Sequence, residues 1–265
     1  MRNKPIRDSL LRWIGKTRLH CVKRIERDRL EALIRSLRPV RGDAPLIRVG
    51  PAGDGGYLVP DDLDGIEYAY SPGVSDESGF ELDLSLRGMN VFMADYSVDA
   101  PAQTSDRFEF AKKFVGSYTD ETHITPDDWK QQTIGAYSGD LLLQMDIEGA
   151  EFETILSMSD SLIQQFRIMV IEFHYLHQLW NKPWFLLVER VFRKLLESHS
   201  VAHIHPNNCC GSFRSAGLEI PRVAEFTFYR NDRIGHPVFC GNFPHVLDAD
   251  NTSKKTLVLP PCWYR

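Results

Sequence analysis

At 265 residues, with 43% hydrophobic and 25% charged side chains and a net charge of −5, the chain has the composition of a globular protein that can bury one sizeable core. It contains no run of about 18 uninterrupted apolar residues, which argues against a membrane-spanning helix, and its start, MRNKPIRDSLLRWIGK, lacks the apolar stretch and cleavage site of a secretory leader. Charge is unevenly spread: residues 1–41 hold thirteen Lys or Arg against four Asp or Glu, a surplus of +9 that leaves −14 on the remainder, and so acidic a body argues against nucleic acid as a partner.

Residues 5–38 are predicted to be helical, in two pieces. Leu10, Leu11, Ile14, Val22, Ile25, Leu30, Leu33, Ile34 and Leu37 recur near a 3.6 period, and Pro39 and Gly42 stop the pattern. We therefore divide the chain into a basic amphipathic helical extension, 1–41, and one domain, 42–265. The basic face, with Trp13 amid Arg and Lys, suits an anionic membrane or a partner protein. That implies a cytoplasmic protein able to sit peripherally at the inner membrane face. A solvated helix packed on the body is the simpler alternative.

Between Ala44 and Pro60 a Gly-Asp-Gly-Gly tip leads into a short strand at Tyr57-Leu58-Val59. Ile66–Ser71 is predicted as a strand, Pro72-Gly73 breaks it, and Ser78–Gly88 follows as a helix. Asn90–Ala94 is the next strand, ending at Asp95. Phe108–Phe114 is predicted helical and 115–117 a short strand. Thr125–Gln132 is a helix, with Thr125 as N-cap and Pro126 in its first turn. Asp140–Ile147 and Phe166–Phe173 are apolar runs of the kind found in buried parallel strands. Helices at Glu151–Met158 and Trp184–Ser198 alternate with them, and strands at Val201–His205 and Ala224–Tyr229 complete the count. This alternation predicts βαβ units and a mostly parallel sheet. The tail after Gly235 is expected to be irregular and to wrap the body.

Four groups of residues carry chemistry. In SPGVSDESGFE, between the first strand and its helix, Ser71 and Gly73 stand where a doubly wound sheet binds ligands. Asp95 lies 22 residues beyond Gly73, a spacing suited to holding ribose hydroxyls. With neither a pyrophosphate loop nor a P-loop lysine, the pair favours a nucleoside cofactor other than NAD or ATP. Third, Asp146, Glu148 and Glu151 crowd the end of an apolar strand. Burying them is costly unless they are paired, so Asp146 and Glu148 belong at a cleft edge, and Glu151 suits the following helix N-terminus. Last, Glu172 and His174 share a strand face, as do His203 and His205 on the next strand, and Asn207 and Asn208 follow. Five cysteines without framework spacing imply reduced thiols. Cys209-Cys210 lacks zinc-ligand spacing, so a zinc ion could borrow at most His205 and Cys240.

Together the segments GDGGYLVP, YSPGVSDESGFELDL, DLLLQMDIEGAEFETIL, MVIEFHYLHQL, HIHPNNCCG and AEFTFYR resemble the FkbM-type S-adenosylmethionine-dependent methyltransferases over about residues 45–230. The resemblance implies a Rossmann-like class I methyltransferase fold, α/β, with a mostly parallel seven-stranded sheet and helices on both faces. It implies that the Gly73 turn meets the methionine moiety, that Asp95 holds the ribose, that Asp146 approaches the sulfonium side or the acceptor, and that the Asp54–Tyr57 loop covers the cofactor. Gln144 departs from the lysine common in relatives.

The expected activity is O-methylation of a hydroxyl on a sugar, glycan or glycolipid precursor. His174 or His205 would be the base, Asp146 would orient, and Glu148, Glu172, Asn207 and Asn208 would bind the acceptor. Mg²⁺ or Mn²⁺ on Asp146, Glu172 and His174 or His205 is a variant of this reading. Two alternatives differ in class: a metal-dependent hydrolase using the same rim, and a non-catalytic membrane-surface or assembly module acting through residues 1–41.

Overall fold

The computed structural model describes residues 22–74 and 77–265. Of the predicted N-terminal helix, Arg27–Ser36 (α1) is seen; the part before residue 22 lies outside the described residues. Leu30, Leu33, Ile34 and Leu37 of this segment are buried in the main hydrophobic cluster, as their spacing requires. No helix among the described residues is long and apolar enough to cross a membrane.

A hairpin, Leu46–Val49 (β1) with Tyr57–Pro60 (β2), precedes the sheet. The sheet strands are Tyr68–Pro72 (β3), Asn90–Ala94 (β4), Phe108–Ala111 (β5), Leu141–Met145 (β6), Phe166–Phe173 (β7) and His199–Pro206 (β8). A second hairpin, Ser212–Ser215 (β9) with Leu218–Pro221 (β10), separates β8 from the last sheet strand, Ala224–Arg230 (β11). The seven-stranded sheet runs β8-β11-β7-β6-β3-β4-β5, with β11 antiparallel to both neighbours and the other pairs parallel. This is the doubly wound order, reversing between β3 and β6, with one antiparallel strand inserted near an edge. It is the Rossmann-like α/β architecture anticipated from the sequence, with a mostly parallel seven-stranded sheet.

Alternation along each strand sends side chains to two cores. Leu143, Met145, Met169, Ile171, Phe173, Phe226 and Phe228 join one cluster with α1 and with helices Pro126–Thr133 (α3), Glu151–Ser157 (α4), Asp160–Gln165 (α5) and Lys182–Leu196 (α6). On the other face Leu142, Ile168 and Val170 meet Val49, Tyr57 and Val59 of the hairpin and Phe80 and Leu84 of Gly79–Leu86 (α2). The hairpin thus covers part of a face that a doubly wound fold gives to helices, and Thr227 ties it down by donating to the Leu58 carbonyl at 2.6 Å.

One predicted element changes type. Phe108–Phe114, expected as helix, is the edge strand β5 followed by the short Phe114–Val115. The run Phe-Glu-Phe-Ala alternates with a period of two, and the open edge of β4 supplies the missing ladder partner. Thr125 caps α3 as predicted, its side chain accepting from the Asp128 N–H at 3.2 Å. The four described cysteines outside residue 21 are free.

If α1 is part of the core, Leu30→Ala will cost about 2–5 kcal/mol, the usual range for emptying a closed apolar site. Urea denaturation of the full chain measures it.

Candidate active site

The strand registers bring polar groups into one row at the carboxyl ends of the central strands. Met145 pairs with Ile171, which sets Asp146 beside Glu172; Glu172 pairs with Glu225, and Glu225 with His205. Glu172, Glu225 and His205 are buried. Withdrawal from water pushes the Glu225 carboxyl up to about 7, against the pull of His205, Asn251 and Arg48. Burial, reinforced by Asp146 and Glu225, holds Glu172 well above the carboxylate range.

Two glycine and glutamine positions explain how the row is framed. Gly73 has φ +89, and a Cβ there would lie 1.5 Å from the Asp146 carbonyl oxygen. On its Cβ side the bare Cα is closed by protein, which lets β3 come against the Asp146 backbone, whose N–H donates to Pro72 O at 3.2 Å. Gln144, standing where lysine was expected, accepts from the Ser71 hydroxyl at 2.6 Å and donates to the Tyr57 hydroxyl at 3.2 Å. Ser71 also bonds Glu81. One serine proton cannot serve two acceptors, and Glu81, pushed up to about 7 by burial, can supply the second as a carboxylic acid.

His174 follows β7 directly and lies within reach of four carboxylates. Its Nδ1 is 3.0 Å from Glu151 Oε1, which also accepts the Gly149 N–H at 2.8 Å. An oxygen already accepting a backbone N–H is an acceptor for Nδ1–H as well, which leaves Nε2 as the ring's basic atom. Nε2 faces Glu148 Oε2 at 3.4 Å, Glu172 Oε1 at 3.7 Å and Asp146 Oδ1 at 4.0 Å. Burial alone would lower the imidazole pKa. The hydrogen bond to Glu151 and the charges of Glu151, Asp146 and Glu148 outweigh it and raise the pKa above its usual value. Asp146 is itself pushed up to about 7, by burial first, with His174 opposing and Glu148 and Glu151 adding. Its Oδ1 is buried without a hydrogen-bond partner.

The surrounding backbone is bent into the left-handed region at Glu148 (φ 56), Gly149 (φ 111) and Tyr175 (φ 57), conformations that cluster where function holds them. A Cβ on Gly149 would lie 2.4 Å from the Tyr175 ring, so this ring packs on bare backbone while the Glu148 side chain stands exposed.

The other predicted residues fall in separate places. Asp95 is buried at the end of β4, where its Oδ1 accepts from the Ser97 N–H and hydroxyl, each at 2.7 Å; among the described residues no hydrogen bond is made by Oδ2. Tyr57 is buried over the row, and the exposed Asp54 accepts from Asn251 at 3.1 Å. Asn207 donates to Glu172 Oε1 at 3.2 Å, at the site. Asn208 does not join it: its amide holds Thr252 and the carbonyls of Thr252 and Lys254, which spends its donors and acceptor on the tail. His205 lies in the same row but bonds Asn251 at 3.2 Å and faces Asp248, away from His174. The carboxylate set able to share an ion with His174 is Asp146 and Glu148, whose ligand atoms lie within 4.8 Å of one another.

Four contributors escaped the sequence reading. Glu151 does more than serve a helix end, because it holds the His174 ring. Glu225 was visible as one acid within an apolar strand. Asp248 and Asn251 lie in an irregular segment with no period to reveal them.

Residues 72–202 match the family model for the methyltransferase FkbM domain. No curated protein matches the chain. Among solved structures it is similar to a protein assigned as a DNA modification methyltransferase encoded within an E. coli prophage, at 9% identity and TM-score 0.41, over 63% of this chain and 47% of that one. The chain thus spans about half the length of that protein. It is also similar to the N-methyltransferase NodS from Bradyrhizobium japonicum WM9, at 11% identity and TM-score 0.32, over 77% of this chain and 95% of that one. A third is magnesium protoporphyrin IX methyltransferase (ChlM) from Synechocystis PCC 6803 with bound SAM, at 11% identity and TM-score 0.32, over 64% and 72% of the two chains.

Two outcomes follow from the geometry. Gly73→Ala will destabilise the fold by more than the roughly 1–2 kcal/mol of a left-handed alanine, because the Asp146 carbonyl must also move; urea denaturation reports it. A group whose folded pKa is raised adds stability below its unfolded pKa and loses it as pH rises through the folded value. The Glu151–His174 coupling from a Glu151→Gln/His174→Gln double-mutant cycle in metal-free buffer will therefore be full below about pH 6.5 and fade above it. A coupling independent of pH would contradict the assignment.

Proposed function

This chain carries a domain of the FkbM methyltransferase family over residues 72–202, and on that footing we propose that it transfers a methyl group from S-adenosylmethionine to a hydroxyl of a polyhydroxylated acceptor, a sugar or glycan precursor. The observation that carries this reading is the His174 ring, fixed through Nδ1 by the buried Glu151 carboxylate and presenting Nε2 among Asp146, Glu148 and Glu172. A base held by a third group in this way is the general arrangement for removing a proton from an attacking oxygen.

The residues present fit the cofactor. Asp95, with Oδ2 free of hydrogen bonds among the described residues, would hold the ribose hydroxyls, and the Asp54–Tyr57 loop would cover it. The unpartnered Asp146 Oδ1 supplies the acidic edge toward the methyl donor and acceptor. When bound, S-adenosylmethionine supplies a methyl group already activated by its sulfonium. The chain's own work is then positioning and proton removal. His174 Nε2 takes the hydroxyl proton, and the neighbouring carboxylates stabilise the imidazolium that results. Glu148, exposed at the rim, and Glu172 with Asn207 offer acceptors and donors to adjacent hydroxyls, the pattern a polyol demands.

Calorimetry with S-adenosylmethionine and its demethylated product tests the first half: wild type binds, and Asp95→Ala weakens binding by at least tenfold. No binding to wild type sinks the reading. His174→Ala will keep cofactor affinity while turnover on a hydroxyl acceptor falls about 10²–10⁴-fold, the span typical of a lost general base. In wild type, kcat/KM will fall as pH drops through the raised His174 pKa. His174→Ala will lack that limb.

A further inference from the structure

A second constellation lies three strands from Asp146, at the sheet edge. A β-bulge between Val201 and His203 shifts the β8 register, so that Val201 pairs with Phe228 while His203 pairs with Thr227 and His205 with Glu225. The extra residue turns both histidines onto the hairpin face, where Asp248 of the tail meets them. His203 Nε2 is 2.7 Å and His205 Nδ1 3.6 Å from the same Asp248 oxygen, Oδ1. The other oxygen, Oδ2, is taken by the His245 N–H at 2.7 Å.

The Nε2 proton of His205 is dictated by its neighbour. Asn251 donates its amide protons to Glu225 Oε1 at 2.7 Å and to Asp54 at 3.1 Å, so its Oδ1 must face His205 and accept from Nε2–H. Nδ1 is an acceptor when bare and a donor in the imidazolium. It is buried, has no hydrogen-bond partner, and confronts a carboxylate oxygen, an acceptor. A bare Nδ1 against that oxygen calls for a cation between them, and either a proton on Nδ1 or a metal ion supplies it. A cavity of about 180 Å³ opens on His205 and Asp248 and is also lined by Asp250 and Thr256.

We propose that His203, His205 and Asp248 bind a divalent transition-metal ion of the zinc class, with the remaining position open to this cavity. The three ligand atoms lie within 4.8 Å of one another. Ligand bonds of about 2.0–2.2 Å place neighbouring donors roughly 3.0–3.5 Å apart, and the two separations from Asp248 bracket that span. Two imidazoles and one carboxylate suit zinc. Asn251 supplies the outer contact that fixes the ligating tautomer. The ion would clamp the tail to the sheet edge and so hold Asn251 over Glu225, joining this site to the carboxylate row. Cys240 is absent from the cluster.

The test is independent of methyl transfer. Full-length protein stripped with chelator is titrated with Zn²⁺ against a chromophoric competitor, and with Co²⁺ followed by absorption. Wild type and His174→Gln will bind one equivalent through this site, and the Co²⁺ spectrum will lack a thiolate band. Asp248→Asn and His205→Gln will lose it, and Asn251→Ala will weaken it about 10–100-fold. If a ligand variant fails to fold, the wild-type Co²⁺ spectrum together with Asn251→Ala still decides. No stoichiometric binding by wild type overturns the proposal. So does loss in His174→Gln with retention in Asp248→Asn, or a thiolate band pointing to Cys209 and Cys210.

Discussion

Carboxylates that share one register beneath a β-hairpin set the terms for the rest of this structure. Asp146, Glu172 and Glu225 stand on neighbouring strands, and withdrawing several such groups from water costs far more than a folded domain can absorb unless protons, hydrogen bonds or cations compensate. Each surrounding element can be read as compensation. His174 approaches from the end of β7, Asn207 from the loop after β8, Asn251 from the tail and Arg48 from the hairpin. The carboxyls that remain raised toward neutrality are those for which this is incomplete, and perturbed groups of that kind collect at functional sites.

How much of this was legible beforehand follows from which physical signals are local. Buried parallel strands such as Phe166–Phe173 announce themselves as apolar runs, and Asp146 was visible as an acid at the end of one. Strand edges are harder. Phe108–Ala111 owes its state to the free edge of β4, which no window of sequence contains. The site divides in the same way. His174 and Glu172 were found because they lie at the end of a buried strand. Glu151, by contrast, was assigned to its own helix because its tertiary partner is 23 residues away. Asp248 and Asn251 lie in a segment held by side-chain contacts rather than by any period.

The β8 bulge shows how a small irregularity allots chemistry. Val201, His203 and His205 have the same parity, and a regular strand would turn all three toward the helical core. One additional residue sends the histidines to the polar side instead, where Asn251 links His205 to Glu225 and Asp54. His174 and His205 thus sit at opposite ends of one row, in environments of different composition: four carboxylates around the first, a histidine, an aspartate and an amide around the second.

The hairpin that roofs the row has a consequence for how the chain is assembled. Leu58 and Thr227, which bond each other, are 169 residues apart. During synthesis the roof therefore leaves the ribosome long before β11, and Thr227 with it, exists. Tyr57 can meet Phe80 of α2 early, but the tie to Thr227 must wait until nearly the whole domain is made. The hydrogen bond that fastens the roof over the polar row can therefore form only after the strands beneath it have been made.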